Sequence, residues 1–272
     1  MIRKILLVLF VVLLYTYAVY YLSRSRFDAI YNYHFEYNPN VPKLIHLMYF
    51  PWDKNQVLKD NPEDFDHSFY EAMKSKYPDY RVQLWTLPIA KAFVRQEYPQ
   101  YFNVIFTLPR PVMMVDFLRL LVVYHFGGIY WQYESESKVS GCGSGMDYFL
   151  PRVNANVKLF TERVIDDTFA RKMAMEPIRQ GEPEELVRVC TQVFSAIPKH
   201  PYMFRLFQRA VCNMKKCKRL VRDYDVLYIG GNAMMSTVYN QIGKYQPDIE
   251  LVDWETQKKM VKFSSKGSWR TE

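Results

Sequence analysis

The chain has 272 residues, 49% hydrophobic and 17% aromatic, which is ample for a sizeable α/β core and excludes a disordered chain. Its net charge is +8, yet the lysines and arginines are scattered and no nucleic-acid motif accompanies them, so a nucleic-acid partner is excluded and the balance reads as a solvated basic surface. Four cysteines are too few for a disulfide scaffold, and neither Cys-x-x-Cys nor paired His spacing offers zinc a site.

Taken in chain order, residues 5–22 form an apolar run interrupted only by Thr16. Its length is near the lower end of the roughly 17–25 residues that cross a bilayer. Arg3 and Lys4 precede it, Arg24 and Arg26 follow, and Tyr15, Tyr17, Tyr20 and Tyr21 crowd its far end, as aromatics do at a membrane interface. Thr16-Tyr17-Ala18 loosely resembles a cleavage site, but the apolar run continues past it. The expectation is an uncleaved signal-anchor over residues 1–25, a transmembrane helix, followed by a short stem over 26–40.

Residues 41–272 read as one domain. Strands are expected at 44–50, 82–85, 104–106, 157–160 and 226–229. Helices are expected from Asn61 through Phe69, Met73 and Tyr77, and then at 89–98, 168–180, 184–194 and 201–217. Gly141, Gly143 and Gly145 mark a loop, and Cys212 with Cys217 is one candidate for a bridge. Strands alternating with helices predict an α/β fold whose mostly parallel sheet is flanked by helices on both faces.

The segment 113–136 stands apart. Its helix is apolar on nearly every side except at Asp116 and Arg119, which lie three residues apart and so share a face. Gly127 is placed for the left-handed residue that ends a helix, and Gly128 turns the backbone into Ile129-Tyr130-Trp131. Gln132, Tyr133 and Glu134 then emerge where that strand runs out. Ligands of open α/β sheets bind at the carboxyl ends of strands, so a charged pair delivered to this edge marks a small-molecule site.

This segment resembles the glycosyltransferases with a DXD sugar-binding region, the family of the yeast-type α-1,6-mannosyltransferases (glycosyltransferase family 32). Their pattern, roughly S-D-x-x-R-Y then G-G-x-Y-x-D-x-D, is matched by Asp116, Arg119, Gly127, Gly128 and Tyr130. Gln132 and Glu134 occupy the two acidic positions, so the DXD is degenerate, and Val115 and Leu120 stand where the family has Ser and Tyr. Val41-Pro42-Lys43-Leu44-Ile45-His46, the strand around Trp85, Ser195-Ala196-Ile197-Pro198-Lys199-His200-Pro201 and Gly267-Ser268-Trp269 are similar to further family landmarks in the right order.

The resemblance implies a GT-A-like fold and a retaining transfer of a hexose from a nucleotide-sugar to a glycan or glycolipid. It implies a membrane-anchored enzyme of the Golgi or endoplasmic reticulum, with its catalytic domain in the lumen. It places His46, Asp116, Arg119, Gly127, Gly128, Tyr130, Gln132, Glu134, Ser268 and Trp269 at the donor, and Mn²⁺ or Mg²⁺ on Glu134; no residue is assigned as catalytic. Lys266 stands near where the family has a His and offers a charge in place of the metal's, so metal-independent work is the alternative. Gly230-Gly231-Asn232 falls where the family turns near the acceptor. The loss of the first acid keeps open a second class of function: a catalytically inactive binder of sugar or nucleotide, or a scaffold.

Overall fold

The computed structural model describes residues 14, 15, 17, 41–53, 55, 57–58, 67–137, 146–152, 154–165, 186–217 and 223–263. The chain divides into two compact units, Met1–Asn38 and Pro39–Glu272. In the first, the described residues Leu14, Tyr15 and Tyr17 are helical and exposed. Among the described residues no helix is long and apolar enough to cross a membrane; most of the run 5–22 lies outside them.

The second unit is built on a seven-stranded sheet. Strand β1 (Leu44–Met48) lies between β2 (Arg81–Trp85) and β3 (Gly128–Trp131), parallel to both. Beyond β3 the direction reverses: β7 (Val193–Ala196) is antiparallel to β3 and to β5 (Val157–Ile165). Strand β5 also carries β6 (Leu186–Val189) antiparallel on its later half and β8 (Ile249–Val252) parallel on its earlier half. The sheet is therefore mixed: parallel through β2, β1 and β3, antiparallel where β7 and β6 join, and parallel again at β8. A small second sheet pairs β4 (Glu136–Ser137) with β9 (Val261–Lys262).

Eight helices are described: α1 (Ser68–Lys76), α2 (Leu87–Glu97), α3 (Phe102–Phe106), α4 (Pro111–Phe126), α5 (Pro201–Lys216), α6 (Asp223–Ile229), α7 (Asn232–Gln241) and α8 (Trp254–Met260). Alternate residues of β1 and β3 serve opposite cores, as the pleat requires. Ile45, Leu47, Ile129 and Trp131 enter one cluster with Tyr133 and Phe149. Met48 and Tyr130 enter the other with α2, α4 and α5. Helix α4 is buried nearly all round, which is why its sequence lacks a polar face.

Several expected elements change type. The run 104–106 lies in helix α3, where Ile105 alone is fully buried; a short apolar run does not by itself distinguish helix from strand. The run 226–229 belongs to α6, where Asp223 and Asp225 favour a helix start and Val226 and Ile229, three apart, share the buried face. The expected helix 184–194 is instead strands β6 and β7, whose β-branched and aromatic residues are buried between neighbours. The expected helix 168–180 and loop 140–145 lie outside the described residues. Cys212 and Cys217 are not bridged.

Helix α7 completes β6 on the side where no strand among the described residues does. Asn240 accepts from Val187 N and donates to Val187 O, and Ser236 Oγ accepts from Val189 N. One helix face thus satisfies strand backbone that would otherwise be buried and unpaired.

The join from α4 to β3 depends on glycine. Gly127 and Gly128 have φ of 66° and 87°, and a Cβ on Gly128 would lie 2.4 Å from the carbonyl oxygen of Leu44 on β1. Gly128→Ala should destabilise the domain by about 2–3 kcal/mol, through left-handed strain and displacement of β1. Urea denaturation checks this; an unchanged midpoint would show that β1 yields without cost.

Candidate functional site

Helix α4 carries Asp116 and Arg119 into the apolar core, each only 4% exposed. Eleven of its residues are buried, so a charged pair here survives only if its hydrogen bonds are made inside the protein. The Arg119 guanidinium makes them: Nη2 donates to the Asp116 carboxylate and Nη1 to the carbonyl oxygen of Thr191 at 2.9 Å. Its plane faces the Tyr130 ring, 5.6 Å from the centroid, within cation–π range. Nε is buried and makes no hydrogen bond among the described residues. Burial pushes the Asp116 carboxyl above its ordinary range, against the pull of Arg119.

Thr191 lies in the break between β6 and β7, so Arg119 ties α4 to the point where the sheet changes partners. The same break meets the end of β3, where Gln132 N donates to Gln192 O at 2.8 Å. Gly230 presses against the other side of the pair; a Cβ there would come within 3.3 Å of the Asp116 Cβ and 2.9 Å of the Phe117 ring. Four separate stretches of chain thus converge on Asp116 and Arg119: the end of β3, the β6–β7 break, α4 itself and the turn before α7.

The degenerate motif forms a tight turn. Ser135 N donates to Gln132 O at 3.1 Å, and Trp131 Nε1 to Ser135 O at 3.0 Å. Tyr133 turns into the opposite core against Tyr49 and Phe69. Gln132 stays on the Tyr130 side, where the Tyr130 hydroxyl donates to its Oε1 at 3.3 Å. Burial pushes the Tyr130 hydroxyl up to about 12, so it remains a protonated donor. Glu134 is exposed and has φ of 61°, a conformation uncommon for a residue with a side chain.

The other expected donor residues separate into structural and undescribed. His46 is fully buried; Trp85 Nε1 donates to its Nδ1 at 3.0 Å, which leaves Nε2 protonated and bonded to Gly127 O at 2.8 Å. Both ring nitrogens are bonded within the protein, packing β1 against β2 and the end of α4. Gly127 and Gly128 shape the backbone beneath the site. Ser268, Trp269 and Lys266 lie outside the described residues, as does the Glu136 side chain. Thr191, Gln192 and Arg188, which sequence reasoning missed, left one legible signal: an arginine inside the apolar run Leu186–Val189.

The set is spare for a divalent cation. Glu134 supplies one hard carboxylate and Gln132 one neutral amide oxygen, and no group of three or more His, Cys, Asp or Glu residues comes together among the described residues. These oxygens fit Mg²⁺ or Mn²⁺ only where a substrate's phosphates complete the shell.

Residues 62–133 match the model of the glycosyltransferase sugar-binding region containing a DXD motif. Over that segment the chain is similar to this family. The match includes Gln132 and ends one residue before Glu134. The mannosyl phosphorylinositol ceramide synthase CSH1 of Saccharomyces cerevisiae is 22% identical over 215 residues, covering 77% of this chain and 45% of that protein. The inositol phosphoceramide mannosyltransferase 2 of Schizosaccharomyces pombe is 25% identical over 179 residues, covering 65% and 40%. The chain thus spans less than half the length of these relatives. Among solved structures it is similar to the PaToxG glycosyltransferase, with 16% identity, a TM-score of 0.43 and coverage of 75% and 70%.

Two outcomes follow from the site's geometry. Burial holds the His46 imidazole at about 4 when folded, against an ordinary 6.5. The unfolded chain therefore binds the extra proton first: this contribution is complete above pH 6.5 and is lost as pH falls towards 4, by about 3 kcal/mol in all. Unfolding free energies across that window should show the slope, and His46→Gln should flatten it. Separately, Glu134→Gly should leave the domain unchanged or about 1 kcal/mol more stable by relieving the left-handed backbone, as denaturant midpoints would show. A marked loss of stability would mean that the Glu134 side chain is itself structural.

Proposed function

We propose that this chain is a membrane-anchored glycosyltransferase that moves a hexose from a nucleotide-sugar to the polyol head group of a glycolipid, with retention at the anomeric carbon. The observation that carries the reading is the Asp116–Arg119 pair, buried on α4 yet delivered to the carboxyl end of β3, with the Arg119 Nε making no hydrogen bond among the described residues. A nucleotide-sugar loses its hexose when the bond from the anomeric carbon to the diphosphate oxygen breaks and negative charge collects on the phosphates. A fixed guanidinium in a water-poor site is worth most at that moment, because it needs no reorganisation. Asp116 holds the guanidinium in place and offers its other lone pairs to sugar hydroxyls. Gln132 adds neutral hydrogen bonds, and Glu134 would hold a divalent cation together with donor phosphates. The cation would supply further charge neutralisation at the diphosphate.

The names of the relatives, a mannosyl phosphorylinositol ceramide synthase and inositol phosphoceramide mannosyltransferases, support mannose as the hexose and a phosphoinositol sphingolipid as the acceptor. The anchor, and a lumenal domain in the Golgi or endoplasmic reticulum, belong to the same proposal and rest on the apolar run 5–22. A second reading, binding without turnover, draws on Gln132 in place of the first acid.

The deciding experiment is transfer of labelled mannose from GDP-mannose to inositol phosphoceramide by the full chain, with and without Mn²⁺. The expected result is transfer that Mn²⁺ raises and chelator lowers, with at least a hundredfold loss in Arg119→Lys, whose single ammonium cannot span Asp116 and Thr191 together. Donor binding without transfer would select the second reading. Neither binding nor transfer, with a panel of nucleotide-sugars, would remove both.

A further inference from the structure

Strand β5 contains one residue too many. Thr161 pairs with Val189 and Arg163 with Arg188, so Glu162 is the extra residue of a β-bulge. Bulges re-aim side chains, and this one sends a carboxylate to a defined place. Asn232, the first residue of α7, donates from Nδ2 to Glu162 Oε2 at 2.7 Å. Arg188 Nε lies 3.5 Å from Oε1, and Arg188 Nη2 donates to Asn232 Oδ1 at 2.7 Å.

The ring of three is unlike the rest of α7. Ser236 and Asn240 spend their side chains on β6 backbone, whereas Asn232 spends its carboxamide on two charged side chains. Arg188 is 5% exposed at its side chain and Glu162 is 38% exposed, so the buried cation steadies a carboxylate that still meets solvent.

Glu162 also belongs to the neighbourhood of Asp116 and Arg119. Cys190 N donates to the carbonyl oxygen of Phe160, two residues before Glu162, and the next residue, Thr191, accepts from Arg119 Nη1 at 2.9 Å. Gly230, which packs on Asp116, stands two residues before Asn232. A carboxylate here repels a diphosphate but accepts hydrogen bonds from hydroxyls, and the Asn232 amide beside it adds the mixed donor and acceptor character that a polyol ring requires.

We propose that Glu162, aimed by the bulge and held by Asn232 and Arg188, binds hydroxyls of a neutral polyol ring: the hexose of the donor or the cyclitol of the acceptor. This rests on the transferase reading above.

The test uses the full chain, wild type and Glu162→Gln, with GDP and GDP-mannose as calorimetric probes and inositol phosphoceramide in mixed micelles as the kinetic one. A loss of about tenfold or more for GDP-mannose, with GDP unchanged, assigns Glu162 to the donor hexose. A comparable rise in acceptor KM, with GDP-mannose affinity unchanged, assigns it to the acceptor ring. Asn232→Ala should move the same readout in the same direction, by less. Equal weakening of GDP and GDP-mannose, or a lowered melting temperature with every affinity unchanged, overturns the proposal and leaves Glu162 as structural support for Arg188. If wild type binds neither GDP nor GDP-mannose, the transferase reading itself has failed and this proposal falls with it.

Discussion

The Arg119 guanidinium is the interaction on which the site depends. It enters from a helix that is otherwise apolar, and its two bonded nitrogens face different parts of the chain, Asp116 on its own helix and Thr191 in the break between β6 and β7. Removing either member of a buried ion pair leaves the other uncompensated, at a cost of several kcal/mol. Replacing the pair by apolar side chains would leave the core at least as stable, so stability alone does not account for the charges. Asp116 and Thr191 hold the guanidinium in place beside the break between β6 and β7.

The architecture around that cation follows from direction. Parallel strands β1 and β3 present their carboxyl ends on one edge, and the antiparallel β7 runs back from it. The break before β7 therefore lies beside the turn after β3. Gly128 makes the junction tight enough for α4 to pack directly on the sheet, and Gly230 allows the loop before α7 to close over Asp116 from the other side. His46 contributes from beneath: a neutral imidazole bonded at both nitrogens fixes the carbonyl of Gly127, where helix becomes strand.

The degenerate motif is held as a turn by its own packing and hydrogen bonds. Tyr133 packs into the far core and the turn is closed by Ser135, so the register is set by burial and does not depend on the acids. Gln132 then lies beside Tyr130, bonded to its hydroxyl, and Glu134 takes the exposed left-handed corner. One carboxylate stands in this turn, at Glu134, and an uncharged amide at Gln132.

Local pattern determined what depends on neighbours along the chain. The spacing of Asp116 and Arg119, the two glycines after an apolar helix and the strand beyond them are properties of helical and extended periodicity, and they were legible as elements and as a candidate site. The short runs 104–106, 184–194 and 226–229 were not, because a few apolar residues satisfy either period and the partner that buries them decides which forms. The role of His46 and the company of Glu162 were likewise hidden. His46 depends on Trp85 and Gly127, and Glu162 on Arg188 and Asn232, all distant in sequence. Sequence by itself determined which residues are chemically out of place in their elements. Tertiary structure decided what each one faces, because hydrogen bonding and burial are settled by whichever groups the completed sheet brings within reach.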